Sequence, residues 1–455
     1  MDINNRLQFF LFAFCGFISY LAAQNCKLGE TAMKILLIGS GGREHALALK
    51  LKESKKVTQL YALPGNPGIC QIARRIELPV DDFEAIADFC QADNIDLVVV
   101  GPEEPLINGM ADFLIKEGIA VFGPRKQAAA LEGSKAFSKD LMRKYNIPTA
   151  AYQTFSSSRD AIDYLKDCSY PIVVKASGIA AGKGVIIAQT QQEAVQAVQD
   201  MMENRIFGAA GAEVVIEEFM IGEEASVFAV TDGNYYQLLT PAQDHKAVFD
   251  GDLGPNTGGM GTYAPAPVVC PSMLEKIGTE IVEPTLRAMR EEGCPFAGVL
   301  FVGLMITANG PKVIEYNCRF GDPETQVVLP LYDGDLAELL YNAATGKFTQ
   351  NSLLPVKKEH AVCVILASGG YPGSYQKGLP VSGLDEVKEA TVIHAGTKAE
   401  NGSIITAGGR VFGVVAKGST LLEAIAKSYR EAGKIRFDGV FCRTDIGTKG
   451  LKYYN

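Results

Sequence analysis

The stretch KASGIAAGKGV, residues 175–185, contains the residue types of a phosphate-binding loop. Gly178, Gly182 and Gly184 allow backbone N–H groups to approach an anion closely, and Lys183 adds a positive charge. A P-loop needs GxxxxGK followed by Ser or Thr, but here the first glycine is replaced by serine and Lys183 is followed by glycine. The loop is therefore not a Walker motif. We expect either a hairpin that lies over a triphosphate as a lid or an ordinary surface turn.

Lys175 ends the apolar run PIVVK, which predicts a buried strand. An ammonium group in such a strand needs an anionic partner, because burying an unpaired charge costs a large free energy. That partner is either a bound phosphate or a carboxylate of the protein itself.

The segment VIEYNCRFGDPETQ, residues 313–326, carries the strongest chemical pattern. Alternation along a strand predicts that Glu315, Asn317 and Arg319 share one face. A carboxylate and an amide oxygen are hard ligands suited to Mg²⁺, and a guanidinium can neutralise the charge that develops on a transferring phosphoryl group. A purely structural network of these three groups is the alternative, and it would be costly to bury without partners.

The segment IEEFMIGEEAS is rich in acid and surrounds the end of a predicted strand. Backbone groups near Phe219 and Met220 would meet an adenine edge, while a carboxylate would accept the ribose hydroxyls. A solvated acidic turn is the likelier interpretation of this segment taken alone. Its carboxylates are Glu217, Glu218, Glu223 and Glu224.

The segment GSGGREHA places Gly41, Gly42 and Arg43 where a strand turns into a helix, which is a natural phosphate site. It is not a dinucleotide fingerprint, because Glu44 stands at the third glycine position and the next strand ends in Pro-Gly at residues 64–65 instead of an acid. The alternative is that these glycines only shape the turn.

Short apolar strands separated by helical stretches run from Met33 onwards, in KILLIG, TQLYAL, DLVVVG and AVFG. This order predicts a parallel sheet with helices on both faces. A helix is expected near residues 106–117, between the last two of these strands. Further along, strand pairs and helices predict two antiparallel bodies and a smaller α+β tail.

The chain has 455 residues, of which 47% are hydrophobic and 21% charged, enough for about three or four domains. Its 52 acidic and 43 basic residues give a net charge of -9, which argues against nucleic-acid or membrane-surface binding. Ten scattered cysteines without a CxxC pair indicate reduced thiols and make a zinc site unlikely.

The apolar segment LQFFLFAFCGFISYLAA follows a single Arg6 and ends in small residues, as a secretory leader would. It is short for a membrane-spanning helix, and MKILLIGSGG at Met33 itself resembles the start of a domain. We interpret residues 1–32 as an appendage or a mis-set start and expect a cytoplasmic protein. A working leader would make that localisation wrong.

The order of a lysine strand, a glycine hairpin, an acidic hinge and a Glu-x-Asn-x-Arg strand resembles the ATP-grasp superfamily. Together with GSGGREHA, RFGDPETQ, GPNTGGMG (254–261) and LEGSKAF (131–137), the chain from Met33 to about Gly447 looks like the phosphoribosylamine-glycine ligases, also called glycinamide ribonucleotide synthetases. The resemblance implies an α/β and α+β multidomain fold. Its expected parts are a Rossmann-like domain at 33–133, an ATP-grasp lid at 134–224, a catalytic subdomain at 225–356 and a C-terminal α+β domain at 357–455.

That resemblance also implies the reaction. ATP, glycine and 5-phosphoribosylamine would give glycinamide ribonucleotide, ADP and phosphate through glycyl phosphate, in de novo purine synthesis. The enzyme would use Mg²⁺ or Mn²⁺, with ATP as a substrate. Unstable phosphoribosylamine would reach it by channelling from the preceding enzyme.

Residue roles follow from the same resemblance. Lys135 and Lys175 would contact ATP phosphates under the 178–184 hairpin, residues 217–220 would frame adenine, and Glu224 would hold ribose. Glu315 and Asn317 would bind the metal, and Arg319 would stabilise the transition state. The remaining substrates would be bound by Gly41, Gly42, Arg43, Glu44, Glu103, Asp244, Asn256, Thr257, Gly258, Gly259 and Asp322.

One departure concerns the strand GVLFVGLM, which has no acid where many ATP-grasp enzymes carry a metal ligand. The site of a second metal ion is therefore open. An ATP-grasp carboxylase or formyl-transfer enzyme is one alternative, which RFGDPETQ and GPNTGGMG disfavour. A nicotinamide-dependent oxidoreductase is a second, but the chain lacks the glycine and the acid that such an enzyme needs. A catalytically silent binding protein is a third, which the intact polar residues disfavour.

Overall fold

The computed structural model describes residues 32–180 and 184–454. Three five-stranded sheets and one four-stranded sheet form the body of the protein. This architecture confirms the predicted α/β and α+β multidomain class. Within the described ranges no helix is both long and apolar enough to cross a lipid bilayer.

The N-terminal sheet is parallel throughout, in the order β3-β2-β1-β4-β5, as predicted. Its central strands are almost fully buried, since helices cover both faces. The predicted helix near residues 106–117 is instead two helices, because Gly109 takes a left-handed conformation (φ 96°) that ends the first. The elements are β1 Met33–Gly39, α1 Gly42–Lys52, β2 Val57–Pro64, β3 Arg74–Arg75, α2 Phe83–Asp93, β4 Leu97–Val100, α3 Glu103–Asn108, α4 Met110–Lys116, β5 Val121–Phe122 and α5 Lys126–Gly133.

The next unit is an antiparallel four-stranded sheet in the order β6-β9-β7-β8, with its own small apolar core. The predicted helix over 191–203 is α-helical to Val198 and continues as a π-helical turn, Gln199–Glu203. The elements are α6 Lys135–Lys144, β6 Tyr152–Phe155, α7 Ser158–Tyr164, β7 Ile172–Ala176, β8 Val185–Ala188, α8 Gln191–Val198 and β9 Val214–Glu218.

A second antiparallel body has the order β17-β16-β10-β11-β18, in which β18 pairs parallel with β11. It contacts the four-stranded unit, since Lys175 Nζ of that unit donates to the Ile314 carbonyl at 3.2 Å. The elements are β10 Glu223–Thr231, β11 Tyr236–Leu238, β12 Gln243–Asp244, β13 Ala247–Phe249, β14 Leu253–Asn256, β15 Gly261–Ala264, α9 Pro271–Ile277, α10 Glu283–Glu291, β16 Gly298–Thr307, β17 Gly310–Asn317, α11 Thr325–Leu331, α12 Leu336–Ala344 and β18 Ser352–Leu353.

The last five-stranded sheet, β12-β15-β19-β23-β20, joins strands from two distant parts of the chain. The short strands β12 and β15 extend a sheet otherwise made by the tail, so the loop between them is held by C-terminal residues. The tail elements are β19 His360–Ala367, β20 Thr391–His394, β21 Thr397–Glu400, β22 Ser403–Thr406, β23 Arg410–Gly418, α13 Leu421–Ala432 and α14 Thr448–Leu451.

Candidate active site

A cavity of about 430 Å³ lies where the N-terminal sheet, the four-stranded unit and the second antiparallel body meet. It gathers residues that are far apart in sequence, and most of the predicted site residues line it. The predicted residues on its wall are Arg43, Glu103, Lys135, Lys175, Gly184, Glu217, Glu218, Phe219, Met220, Glu224, Asp244, Asn256, Thr257, Gly258, Glu315, Asn317, Arg319 and Asp322.

Two buried lysines share one carboxylate on the side of the cavity formed by Lys135, Lys139, Lys175 and Glu217, which we call the upper wall. Glu217 Oε2 lies 2.9 Å from Lys175 Nζ and 3.1 Å from Lys139 Nζ. Lys175 thus has the internal anionic partner that the sequence left as an alternative. The trio still carries one net positive charge, and burial lowers the pKa of Lys139 to about 8 although Glu217 opposes this. The other Glu217 oxygen is buried without a hydrogen-bond partner among the described residues.

Lys135 lies at the first turn of α6, where Ser134 caps the helix by accepting a hydrogen bond from the Phe137 N–H. Its Nζ donates to the Gly178 carbonyl at 3.2 Å, so this lysine is held directly beneath the glycine hairpin. Gly178 itself packs closely, because a Cβ there would lie 2.7 Å from the Cα of Ala210. The predicted contacts of Gly182 and Lys183 fall outside the described residues.

The acidic hinge follows β9. Glu218 pairs with Lys312 at 2.8 Å, and Phe219 and Met220 line the cavity beside it. Further along, Glu224 Oε2 lies 3.2 Å from Lys246 Nζ. Glu218 and Glu224 thus pair with lysines of the second antiparallel body, whereas Glu217 pairs with Lys139 and Lys175, and Glu223 pairs with Lys452 of the tail at 2.6 Å. All four hinge carboxylates have a lysine partner, which differs from a freely solvated acidic turn.

The Glu-x-Asn-x-Arg residues lie together, but not as one continuous strand face. Glu315 and Asn317 alternate along β17 as predicted, but the strand ends at Asn317, so the predicted alternation does not extend to Arg319. Arg319 reaches the same place from the turn that follows. There it pairs with Glu132 at 2.8 Å.

Glu132, at the C-terminal end of α5, organises this turn. Its Oε1 accepts a hydrogen bond from Asn317 Nδ2 at 2.9 Å, and its Oε2 accepts one from the Cys318 N–H at 2.8 Å. Sequence reasoning did not single out this glutamate, although it belongs to LEGSKAF. Lys139 was missed too, and its position four residues after Lys135 on the same helix face could have revealed it.

In the turn of GSGGREHA, the predicted phosphate site, a carboxylate of the protein lies at the start of the helix. Glu44 Oε2 accepts the Gly41 N–H at 2.6 Å, and Glu44 Oε1 accepts from Arg43 Nε at 2.5 Å, so a carboxylate already occupies the helix start. A Cβ on Gly42 would lie 2.8 Å from Gln326 Nε2. Of this segment, only Arg43 lines the cavity.

Glu103, the first residue of the helix that follows β4, lies near this turn on the cavity wall. Its Oε2 is 3.1 Å from Arg319 Nε and 3.9 Å from Arg43 Nη1. Burial opposes ionisation, but the two guanidinium groups hold the pKa of Glu103 below its usual value. Glu103 is therefore an ionised acceptor at the carboxyl edge of the parallel sheet, where ligands of such sheets bind.

The GPNTGG loop, together with Asp244 and Glu324, forms the side of the cavity that we call the lower wall. Arg410 of β23 holds this loop in place. Arg410 Nη1 donates to the Gly258 carbonyl at 2.6 Å and the Asp322 carbonyl at 2.8 Å, and Nη2 lies 3.3 Å from Asp322 Oδ2. Gly259 packs against Pro323 instead of lining the cavity. No sequence signal pointed to Arg410, because it lies 88 residues from Asp322 and 152 residues from Gly258.

Glu315 and Asn317 suit a divalent cation. Burial opposes ionisation of Glu315, but Lys246, Lys135 and Lys175 hold its pKa below the usual value, so the carboxylate is charged. Because Asn317 uses its amide nitrogen for Glu132, its oxygen is the atom left for a metal. Opposite Glu315 on β16 stands Gly303, which offers no second acid. These two residues fit one hard cation such as Mg²⁺.

The comparisons with known proteins agree with this geometry. Residues 33–132, 133–325 and 361–449 match family models described as phosphoribosylglycinamide synthetase N domain, ATP-grasp (A) domain and C domain. The chain is 51% identical over 420 residues to the phosphoribosylamine–glycine ligase of Agrobacterium fabrum, which covers 92% of this chain and 99% of that protein.

Solved structures show the same fold. The phosphoribosylamine–glycine ligase of Thermotoga maritima aligns with a TM-score of 0.79 and 32% identity, over 91% of this chain and 100% of that chain. A biotin carboxylase domain from Hydrogenobacter thermophilus, solved with MgADP and bicarbonate, aligns over 90% of this chain and 91% of its own with a TM-score of 0.69; at 16% identity it shows the fold alone.

The fold and the lysine-lined cavity place the protein in the ATP-grasp class. Within that class, the chain belongs to the phosphoribosylglycinamide synthetase family, which confirms the resemblance seen in its motifs.

Proposed function

We propose that this protein is an ATP-dependent ligase that joins glycine to 5-phosphoribosylamine, giving glycinamide ribonucleotide, ADP and phosphate in purine biosynthesis. The observation that carries the proposal is the cavity itself. In a chain of this family, lysines on one wall face carboxylates and Arg319 on the other, so a phosphate donor and an amino acid can meet between them.

The upper wall binds ATP. Lys135, Lys139 and Lys175 supply the positive charge for the triphosphate, and the hinge at Phe219 and Met220 receives the adenine ring. Glu224 lies at the start of β10, where its carboxylate can accept hydrogen bonds from the ribose hydroxyls. Ile179, Ala180 and Gly184, on either side of the hairpin tip, line the same cavity, which supports a lid over the phosphates that excludes water.

The chemistry needs positioning more than a protein nucleophile. A carboxylate oxygen of glycine attacks the γ-phosphorus and releases ADP, forming glycyl phosphate; the amine of phosphoribosylamine then attacks the acyl carbon and expels phosphate. Arg319, held by Glu103 and Glu132, lies where it can neutralise the charge on the transferring phosphoryl group. Mg²⁺ or Mn²⁺ held by Glu315 and Asn317 would screen the phosphate oxygens.

The ribose and phosphate of phosphoribosylamine bind on the side of the parallel sheet. Glu103 offers an ionised acceptor for ribose hydroxyls, and Arg43 offers a cation beside it. We place the reaction in the cytoplasm and propose that unstable phosphoribosylamine is passed on by the enzyme that makes it.

An ADP-release assay with each substrate omitted tests this function. We expect ADP only when glycine and phosphoribosylamine are both present, apart from slow leakage, in proteins that begin at Met1 and at Met33. If bicarbonate or formate drives ADP release while glycine does not, the substrate assignment is wrong.

A further inference from the structure

Asp244, at the end of β12, presents a carboxylate to the cavity without a protein partner. Its side chain is 9% exposed, and it makes no hydrogen bond or ion pair with any other described residue. A buried carboxylate without a partner is costly. Its presence on the cavity wall therefore points to a ligand that supplies the missing charge.

Glu324, in the DPETQ segment, is a second buried carboxyl on the same wall. It is 4% exposed, and Ser226 Oγ donates to its Oε1 at 3.1 Å. Within the described ranges no lysine, arginine or histidine forms an ion pair with either Asp244 or Glu324. Lys246, two residues after Asp244, is instead directed to Glu224 at 3.2 Å and Glu315 at 3.9 Å.

The electrostatics of the two carboxyls suit a positively charged ligand. Burial raises the pKa of Asp244 to about 8; Lys246 opposes this, and Glu324 adds to it. Burial also raises the pKa of Glu324. Two carboxyls in such surroundings favour either a retained proton or a bound cation. The arginines of the cavity and Lys139, Lys175 and Lys246 pair with other carboxylates, and Lys135 donates to the Gly178 carbonyl, so the negative charge of Asp244 and Glu324 is left for a substrate.

We propose that Asp244 and Glu324 together bind the ammonium group of the amino-acid substrate, and so select an amino acid over a carboxylic acid that lacks an amino group. This inference rests on the proposed ligase function and assigns a specificity role to Glu324. The two acids face the cavity from different segments, β12 and the turn before α11, and an ammonium group between them replaces the missing protein cation.

The position of the pair also explains how the substrate is oriented. Asp244 lies against the GPNTGG loop, since a Cβ on Gly259 would be 3.5 Å from Asp244 Oδ2. Glu315, Asn317 and Arg319 line another part of the same cavity. An amino acid whose ammonium group lies between Asp244 and Glu324 can turn its carboxylate towards the phosphate-transfer residues.

Glycine and glycolate give a direct test, because glycolate has the same carboxylate but a hydroxyl in place of the ammonium group. ADP release is measured with each acid for the wild type, Asp244→Asn and Glu324→Gln. We expect the wild type to prefer glycine by at least about a hundredfold in kcat/KM, as sites built to pair a polar group reject analogues that lack it. Each variant should reduce that preference by at least about tenfold while the KM for ATP changes less than about twofold.

Asp163→Asn is the matched control, because it removes a surface carboxylate paired only with nearby Lys166. Thermal melting checks that the variants fold. Calorimetric binding of glycine and glycolate to the intact wild type gives a second readout that needs no variant: glycine should bind in the presence of a non-hydrolysable ATP analogue, and glycolate at least about tenfold more weakly.

Two failures are distinguishable. If the wild type releases no ADP with glycine and phosphoribosylamine, the ligase function itself is wrong. If the wild type does use glycine, but both folded variants keep its full preference over glycolate, or glycolate binds the wild type as tightly as glycine, then Asp244 and Glu324 do not form the ammonium site.

Discussion

The two walls of the cavity handle charge in opposite ways. On the upper wall, Lys139 and Lys175 share Glu217. The carboxylate balances one of the two positive charges, and one remains. On the lower wall, Asp244 and Glu324 are buried without a basic partner among the described residues. One wall is prepared for an anion and the other for a cation.

The difference teaches how one scaffold can serve different substrates. The lysine wall suits any nucleoside triphosphate donor, and a phosphate donor is common to many reactions. The acidic wall is built from β12 and the DPETQ turn, and it decides which acceptor enters. Arg319 also lines the cavity, and it forms ion pairs with Glu103 and Glu132.

Replacing Arg319 with alanine should have the largest effect, because we place its guanidinium on the transferring phosphoryl group and it also pairs with Glu103 and Glu132. We expect kcat to fall roughly a hundredfold, a loss of transition-state stabilisation on the order of 3 kcal/mol. Steady-state kinetics measure the change. Arg319→Lys keeps the charge but loses the paired geometry with Glu132 and should recover only part of the rate.

The interpretation of this variant depends on folding, since the substitution leaves Glu103 and Glu132 without their guanidinium. Thermal melting of the same samples separates lost stability from lost catalysis. An unchanged kcat in the folded Arg319→Ala protein would remove this residue from the mechanism.

Replacing Lys175 with methionine should affect the upper wall alone. The variant loses a charged hydrogen bond to phosphate, worth about 1.5 to 3 kcal/mol, so the KM for ATP should rise about tenfold to a hundredfold. The KM for glycine should stay the same. Lys166→Met, on an exposed surface pair, is the control. If the KM for glycine rises and the KM for ATP does not, the assignment of ATP to the upper wall is wrong.

Gly259→Ala should weaken the lower wall. Gly259 has a φ of 109°, and a Cβ there would lie 2.4 Å from Pro323 Cδ. Strain of this kind costs about 1 to 3 kcal/mol. We therefore expect a lower melting temperature and a raised KM for glycine, with the KM for ATP retained. Gly293→Ala, where a Cβ would meet nothing, shows the effect of a positive φ (75°) by itself. If Gly259→Ala and Gly293→Ala change the melting temperature and the KM for glycine equally, the contact of Gly259 with Pro323 is not the cause.

Lys312→Ala should have the smallest effect. Lys312 pairs with Glu218 at 2.8 Å at a partly exposed position of the hinge, and such pairs contribute about 0.2 to 1 kcal/mol. The free energy of unfolding in urea should fall by less than about 1 kcal/mol. A larger loss would mean that this pair holds the four-stranded unit in place.

The sequence predicted the elements well where local pattern decides them. Apolar runs such as LVVV predicted the parallel sheet, and the glycine hairpin and the Glu-x-Asn strand predicted residues that line the cavity. It failed where contacts between distant segments decide. The loop contacts of Arg410 and the ion pair of Arg319 with Glu132 are examples. The hydrogen bond from the Gly41 N–H to Glu44 is different, because it joins residues three apart and is a local capping contact.

Glu324 shows the same limit inside the site. The motif RFGDPETQ was recognised, but nothing in its spacing distinguishes Glu324 from Asp322, which pairs with Arg410. Burial and the lack of a basic partner separate the two, and both depend on the three-dimensional structure.

Isotope transfer from glycine to phosphate tests the central claim, that the cavity brings ATP and the carboxylate of glycine together for direct phosphoryl transfer. The enzyme turns over glycine labelled with oxygen-18 in its carboxylate, in ordinary water, with ATP and phosphoribosylamine. Mass spectrometry should find one labelled oxygen in each phosphate released. Phosphate without that label, alongside normal formation of the ligated product, would contradict the account.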